Sequence, residues 1–343
     1  MKNYFLLLVF SFAILFCTAQ KEDQQPYLTK LLNTVSIKNV EAASSGGNIT
    51  VTGVAQSEAK IEVYVSDNND KNLSRDEIKQ RLEELYNLDV SFSGNKLNAI
   101  VREKHEIKDW KKALNISFKI FVPQNVSTEL STSGGNIVLS NLSGNQKFST
   151  RGGNLKLDKL SGKLNGRTSG GSITLENSKD DIDLTTSGGN IKANNCTGNL
   201  KLTTSGGTLD LTSLNGTINA HTSGGNVRGK NIDGELSAHT SGGNVNLTEL
   251  SCSLESSTSG GNMTVAFTKL GKYVKLNNTG GNIDLTVPKN KGLDLDLSGT
   301  IATTHFDNFS GTIDENKVKG KLNGGGVAVT ADAKSGRISI ELK

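Results

Sequence analysis

Gly-Gly pairs begin at Gly134, Gly152, Gly170, Gly188, Gly206, Gly224, Gly242 and Gly260, each 18 residues after the last, and a ninth follows at Gly280 after a two-residue insertion. A fixed period of this length marks a repeat architecture, in which one unit cannot bury its own apolar face and must stack on its neighbours. Written in rows of 18, the sequence falls into columns. Thr132, Thr150, Thr168, Thr186, Thr204, Thr222, Thr240 and Thr258 stand two positions before the glycines. Asn136, Asn154, Asn190, Asn226, Asn244 and Asn262 follow the pairs, with Ser172 and Thr208 in the two other rows.

The apolar residues also align. One column runs Ile137, Leu155, Ile173, Ile191, Leu209, Val227, Val245, Met263, and another, two residues on, runs Leu139, Leu157, Leu175, Ala193, Leu211, Gly229, Leu247, Val265. Between them lie Val138, Lys156, Thr174, Lys192, Asp210 and Arg228, so each row carries a short strand with one face in and one face out. Leu164, Ile182, Leu200, Ile218, Leu236 and Leu254 give a second strand per row, and Leu142, Leu160, Cys196, Leu214, Ile232 and Leu250 a corner between the two. The expected fold is all-β: a single-stranded β-solenoid (β-helix) with 18-residue rungs. The pairs Gly134 and Gly135, Gly152 and Gly153, Gly170 and Gly171, Gly188 and Gly189 are expected to form a corner at positive φ, where a Cβ would strike the next row. The Asn column is expected to form a side-chain ladder along that corner.

Composition agrees. With 38 Gly, 3 Pro and only 5% aromatic residues, the core must come from small aliphatic side chains. The formal charge of +4, from 38 basic against 34 acidic residues, provides no electrostatic footprint for nucleic acid, which is therefore excluded as an expected partner.

Lys2 and the apolar run from Phe5 to Phe16 match the n- and h-regions of a secretory signal peptide, with cleavage after Ala19. The run is too short to span a bilayer, and no later stretch is long enough, so the mature chain is expected to be exported without a transmembrane span, to the periplasm, the outer surface or the medium. A lipoprotein site at Cys17 fits less well, because Phe16 stands where a small residue is expected. Cys196 and Cys252 lie three rows and two residues apart, roughly 14 Å along the axis at a strand spacing of about 4.8 Å. A disulfide needs Cα atoms within about 7 Å, so two free, buried thiols are expected.

The ends depart from the period. Ser45-Gly46-Gly47-Asn48-Ile49 is an isolated copy far upstream, followed by the alternating Ile61, Val63 and Val65. Ser74 with Glu77 makes a capping box opening an amphipathic helix through Ile78, Leu82, Leu85 and Tyr86. Next come a hairpin around Gly94-Asn95 and a strand of Ile116, Phe118, Ile120 and Val122 ended by Pro123. Leu293, Leu295 and Leu297, then Phe306 and Phe309, and finally Ile338, Ile340 and Leu342 look like a terminal cap. The expected organisation is a signal peptide over 1–19, N-terminal strands with an α/β helical insertion over 20–125, the regular solenoid over 126–290, and a C-terminal β cap, continuous with the solenoid, over 291–343.

The repeated Thr-Ser-Gly-Gly-Asn-Ile motif, Phe121-Val122-Pro123 just before it, and the closing Leu-Asp-Leu-Asp-Leu-Ser-Gly and Asn-Gly-Gly-Gly together resemble a bacterial adhesin family of β-strand-repeat envelope proteins, a domain of unknown function, over residues 35–343. The resemblance implies an exported, non-enzymatic surface protein and brings no catalytic residues.

The residues themselves provide little chemistry. The glycines lack the Gly-x-x-x-x-Gly-Lys spacing of a phosphate loop, and no Asp recurs in the turn as calcium-binding repeats require. His221 and His239 share one column on adjacent rows and are the only candidate metal pair, but the column brings Thr203 and Ser257 rather than a third ligand. Asp158 and Glu176 stack near Lys156 and Lys192 and are the best acid pair for a polysaccharide-active enzyme. No cofactor is expected. The reading is a non-enzymatic adhesin or envelope scaffold that binds a glycan or protein of the cell surface through its exterior strand face; the alternatives are a β-helix polysaccharide-active enzyme and a periplasmic signalling or stress component.

Overall fold

The structure is a computed structural model that describes residues 25–68, 73–303 and 305–343. The signal-peptide and Cys17 readings lie outside the described residues. The chain is all-β: its strands join one hydrogen-bonded sheet that winds through the molecule, with a single α-helix, Arg75–Leu85, among the described residues.

The alternating columns become parallel ladders. Ser143–Thr150 pairs parallel with Ser161–Thr168, placing Gln146 opposite Leu164 and Thr150 opposite Thr168. Ile137–Ser140 likewise pairs with Leu155–Asp158. The same register continues through Ile191–Thr204, Leu209–Thr222, Val227–Thr240 and Val245–Thr258. Inward positions are fully buried, for example Ile173, Leu175, Ile191, Leu209, Leu211 and Leu254. The corner column Leu142, Leu160, Cys196, Leu214, Ile232 and Leu250 is buried as well. Each corner turns on the residue just before it: Asn141, Lys159, Asn177, Asn195, Ser213, Asn231 and Glu249 all adopt left-handed φ between 50° and 58°. A second column, Gly144, Gly162, Gly198, Gly216 and Gly234, also lies at positive φ.

The isolated upstream copy is the first row. Asn39–Ser44 pairs parallel with Ser127–Thr132, and Ile49–Val54 with Ile137–Ser140, so the row before the array is 88 residues away in sequence, as in Ile49 opposite Ile137. The residues between extend both strands of that row outward. Ile49–Val54 pairs with Leu114–Pro123, which pairs antiparallel with Lys60–Asp67 and then Leu28–Leu31. Asn39–Ser44 pairs with Lys96–Glu103, which forms a hairpin with Tyr86–Ser93 around Gly94 at φ 59°. The helix begins where the capping box places it: Ser74 Oγ accepts from the Glu77 amide at 3.2 Å.

At the other end, the single long strand Val327–Leu342 pairs with Tyr273–Asn278, with Ile283–Val287 and with Leu293–Ile301. Leu293–Ile301 continues antiparallel into Lys317–Leu322 and Phe309–Asp314. Phe306 and Phe309 meet there, ring centroids 5.7 Å apart.

The glycine corner differs from the sequence reading in two respects. None of Gly134, Gly135, Gly152, Gly153, Gly170, Gly171, Gly188 and Gly189 has positive φ; that role falls to the other two columns. In the eight regular pairs the steric half of the argument holds only for the second glycine. A Cβ on Gly153 would lie 1.9 Å from the Gly135 carbonyl oxygen, whereas on Gly152 it would meet nothing closer than 3.7 Å. In these rows the backbone stacks on itself at the second glycine, and only at the ninth pair does the first, Gly280, also meet backbone, the Ser259 carbonyl oxygen at 2.8 Å.

Candidate functional site

The corner is held by two hydrogen-bond ladders. Thr204 is buried; its hydroxyl donates to the Gly189 carbonyl of the previous row at 2.8 Å and accepts from the Gly207 amide of its own row at 3.2 Å. The same pair of bonds recurs in the rows of Thr132, Thr150, Thr168, Thr186, Thr222, Thr240 and Thr258. Ser44 takes the role in the first row and Asn278 near the last. This column is thus interior and leaves the exterior wall to other residues. Its recurrence was visible in the sequence; its burial was not, because a hydroxyl is buried only where both its partners are in place.

The second ladder uses the Asn column, and it runs to backbone rather than from side chain to side chain. Asn136 Oδ1 accepts from the Asn154 amide and Asn154 Oδ1 from the Ser172 amide, each at 2.8 Å. Ser172 Oγ, Asn190, Asn226, Asn244 and Asn262 do the same for the rows that follow. The threonine hydroxyls and the asparagine Oδ1 atoms thus find their partners inside the molecule.

The exterior faces carry the chemistry that remains. His221 and His239 are register partners, as their column requires. The two ring nitrogens of His239 are engaged by Ser237 at 2.8 Å and Ser257 at 2.7 Å, and burial lowers its pKa below the usual 6.5. No third His, Cys, Asp or Glu joins the pair in a metal-binding group among the described residues. Asp158 and Glu176 are also register partners; Asp158 accepts from Asn177 Nδ2 at 2.7 Å. Lys156 and Lys192 share the neighbouring column, with Thr174 between them.

On the opposite face, carboxylates meet ammonium groups of neighbouring strands. Lys96 bonds Glu41, Lys147 bonds Glu129 at 2.8 Å, and Lys201 lies 3.5 Å from Asp183. The Lys147 hydrogen bond, with its charge, holds the Glu129 carboxyl below its usual range. The two thiols are free and buried as expected, and burial pushes the Cys252 thiol up to about 12. Among the described residues no helix is long and apolar enough to cross a membrane.

Residues 230–341 match the family model Toastrack DUF4097. No curated protein matches the chain. Among solved structures, similarity is found to a "putative cell adhesion protein" from Clostridium sporogenes (12% identity, TM-score 0.20, covering 92% of this chain and 98% of that one). A "putative lipid binding protein" from Parabacteroides distasonis (10%, TM-score 0.32, covering 93% and 98%) and a "putative adhesin" from Bacteroides fragilis (13%, TM-score 0.24, covering 92% and 96%) are also similar. At such identities and scores these likenesses carry no functional argument.

Proposed function

We propose that the chain is a non-enzymatic β-solenoid of 18-residue rungs, exported to the bacterial cell envelope, that acts as an adhesin or scaffold by binding a surface glycan or protein through its exterior strand face. The observation that carries this reading is the constant register of the ladders. It presents the same exterior positions at every row, about 4.8 Å apart, from Glu41 opposite Glu129 to Lys201 opposite Asn219 and beyond. A surface with that repeat matches a partner that is itself a polymer. The corner threonines are buried and internally bonded, so they add nothing to the exterior, and the reading places recognition on the walls.

The test is binding of the mature chain, residues 20–343, to whole cells and to a glycan array. Exterior substitutions on each wall, such as Lys156→Ser with Lys192→Ser and Lys201→Ser with Lys275→Ser, are compared with it. Binding that falls with one wall's substitutions supports the reading, and binding by no ligand or cell type overturns it. The enzyme alternative rests on Asp158 opposite Glu176; release of reducing ends from polyuronides, abolished by Asp158→Asn, would replace the adhesin reading.

A further inference from the structure

The columns are broken by arginine at two neighbouring places. At the position before the eight regular Gly-Gly pairs the rows carry Ser133, Ser169, Ser187, Ser205, Ser223, Ser241 and Ser259, but one row has Arg151. In the exterior column headed by Ser131 and Ser149, the next row has Arg167, followed by Thr185 and Thr203. Arg151 and Arg167 are thus one row and two residues apart, about 8 Å between Cα atoms at the usual row spacing and strand rise.

Both arginines line one open groove of about 580 Å³, walled otherwise by hydroxyls, among them Ser131, Ser149, Ser169 and Ser187. The groove crosses five successive rows, from Ser44 to Ser187, so it is long in the direction of the stack. It shares Ser131, Ser149 and Arg167 with an adjoining groove of about 820 Å³ that adds Lys147 and Lys163.

The balance of charge there is positive. Glu41 and Glu129 on the second groove are each taken by a lysine, Lys96 and Lys147. Asp181, beside Lys163 in the next row, accepts from Asn199 at 2.9 Å. Of the three arginines in the regular rows, Arg228 lies 3.5 Å from Asp210, while Arg151 and Arg167 have no ion pair and no side-chain hydrogen bond among the described residues. Two unengaged guanidinium forks over a row of hydroxyls fit sulfate or carboxylate groups, which arginine binds in bidentate fashion, with serine hydroxyls left for sugar hydroxyls.

We propose that this groove is the binding site for an acidic polysaccharide, held along the stack by Arg151 and Arg167. The inference rests on the adhesin reading and gives it a ligand class and a place.

The experiment measures binding of the full mature chain to immobilised dextran sulfate, polygalacturonate and neutral dextran. The variant Arg151→Ser/Arg167→Thr returns both positions to residues their own columns carry in other rows, so the fold is retained, and a melting curve verifies it. Wild type is expected to bind at least one acidic polymer and not dextran; whether sulfate or carboxylate is preferred identifies the anion. The double variant is expected to lose binding at least tenfold. Lys156→Ser/Lys192→Ser, which removes the same charge from the other wall, is expected to keep it.

Equal loss in that control would reduce the attraction to diffuse charge and overturn the site, as would undiminished binding by the arginine variant or no acidic-polymer binding by wild type. Cell binding that survives in the arginine variant but falls with other wall substitutions would refute the groove and leave the adhesin reading standing.

Discussion

At the scale of single residues, the two glycines of each pair look equivalent in the sequence and are not equivalent in the stack. A Cβ on Gly189 would lie 2.1 Å from the Gly171 carbonyl oxygen, while one on Gly188 would come no closer than 3.6 Å to anything. Gly189→Ala is therefore expected to cost about 3 kcal/mol or more, because backbone must move, and Gly188→Ala to stay within about 0.5 kcal/mol. Denaturant midpoints of the two variants decide it, and similar values would refute the stacking geometry. His239 gives a second expectation. Burial depresses its pKa, a nearby Glu255 opposes this and His221 adds to it. The unfolded chain then binds more protons than the fold between the two pKa values, so stability rises with pH in that window. The contribution is complete above the ordinary 6.5 and is lost as pH falls through the lowered value. The melting temperature should fall on acidification from pH 8 to pH 5, and His239→Gln should flatten that slope; an unchanged slope would mean that the ring titrates alike in both states.

At the scale of the element, the unit is a row that contacts the rows before and after it. Ile191 stands opposite both Ile173 and Leu209, and Leu202 opposite both Leu184 and Ala220. Removing residues 191–208 should bring Leu209 against Ile173 with every column intact, and the shortened chain should fold and melt cooperatively. Removing 191–207 shifts the register by one and turns each inward side chain out. Circular dichroism and melting curves should show native strand content only in the first deletion. Sequence reasoning reached the strands, the helix cap at Ser74 and the hairpin at Gly94 because each has a local signal. It assigned positive φ to the wrong glycines because a Gly-Gly pair is compatible with either a left-handed turn or a close backbone approach, and only the neighbouring row distinguishes them. Gly144, Gly162, Gly198, Gly216 and Gly234 recur on the same period, with Asp180 at φ 81° in the row between Gly162 and Gly198, and carry the positive φ.

At the scale of the molecule, the open edges decide whether such a stack remains a discrete particle. The first row is extended on both strands by one parallel neighbour and then by antiparallel strands that end in the four-residue strand Leu28–Leu31 and in Tyr86–Ser93. The last rows are closed by one strand, Val327–Leu342, whose two halves cover Tyr273–Asn278 and Ile283–Val287. Unpaired edges of this kind recruit other chains. A chain ended at Asn323 is expected to self-associate, with light scattering showing larger species than the full chain forms; an unchanged size distribution would mean that these edges are protected some other way.

The sequence alone determined the all-β class, the inward and outward columns and the separation of Cys196 from Cys252, because a period repeated over many rows states the same local preference many times. It did not reveal the buried Thr column, whose hydroxyls bridge consecutive rows, or the arginine groove, which forms only when residues from five rows share one surface. Nor did it reveal that the first row lies directly against the array across 88 residues of chain, as Ile49 does against Ile137, or that one strand closes the far end. Those outcomes belong to the tertiary structure, since strands with the same alternating pattern are interchangeable as partners until packing selects among them.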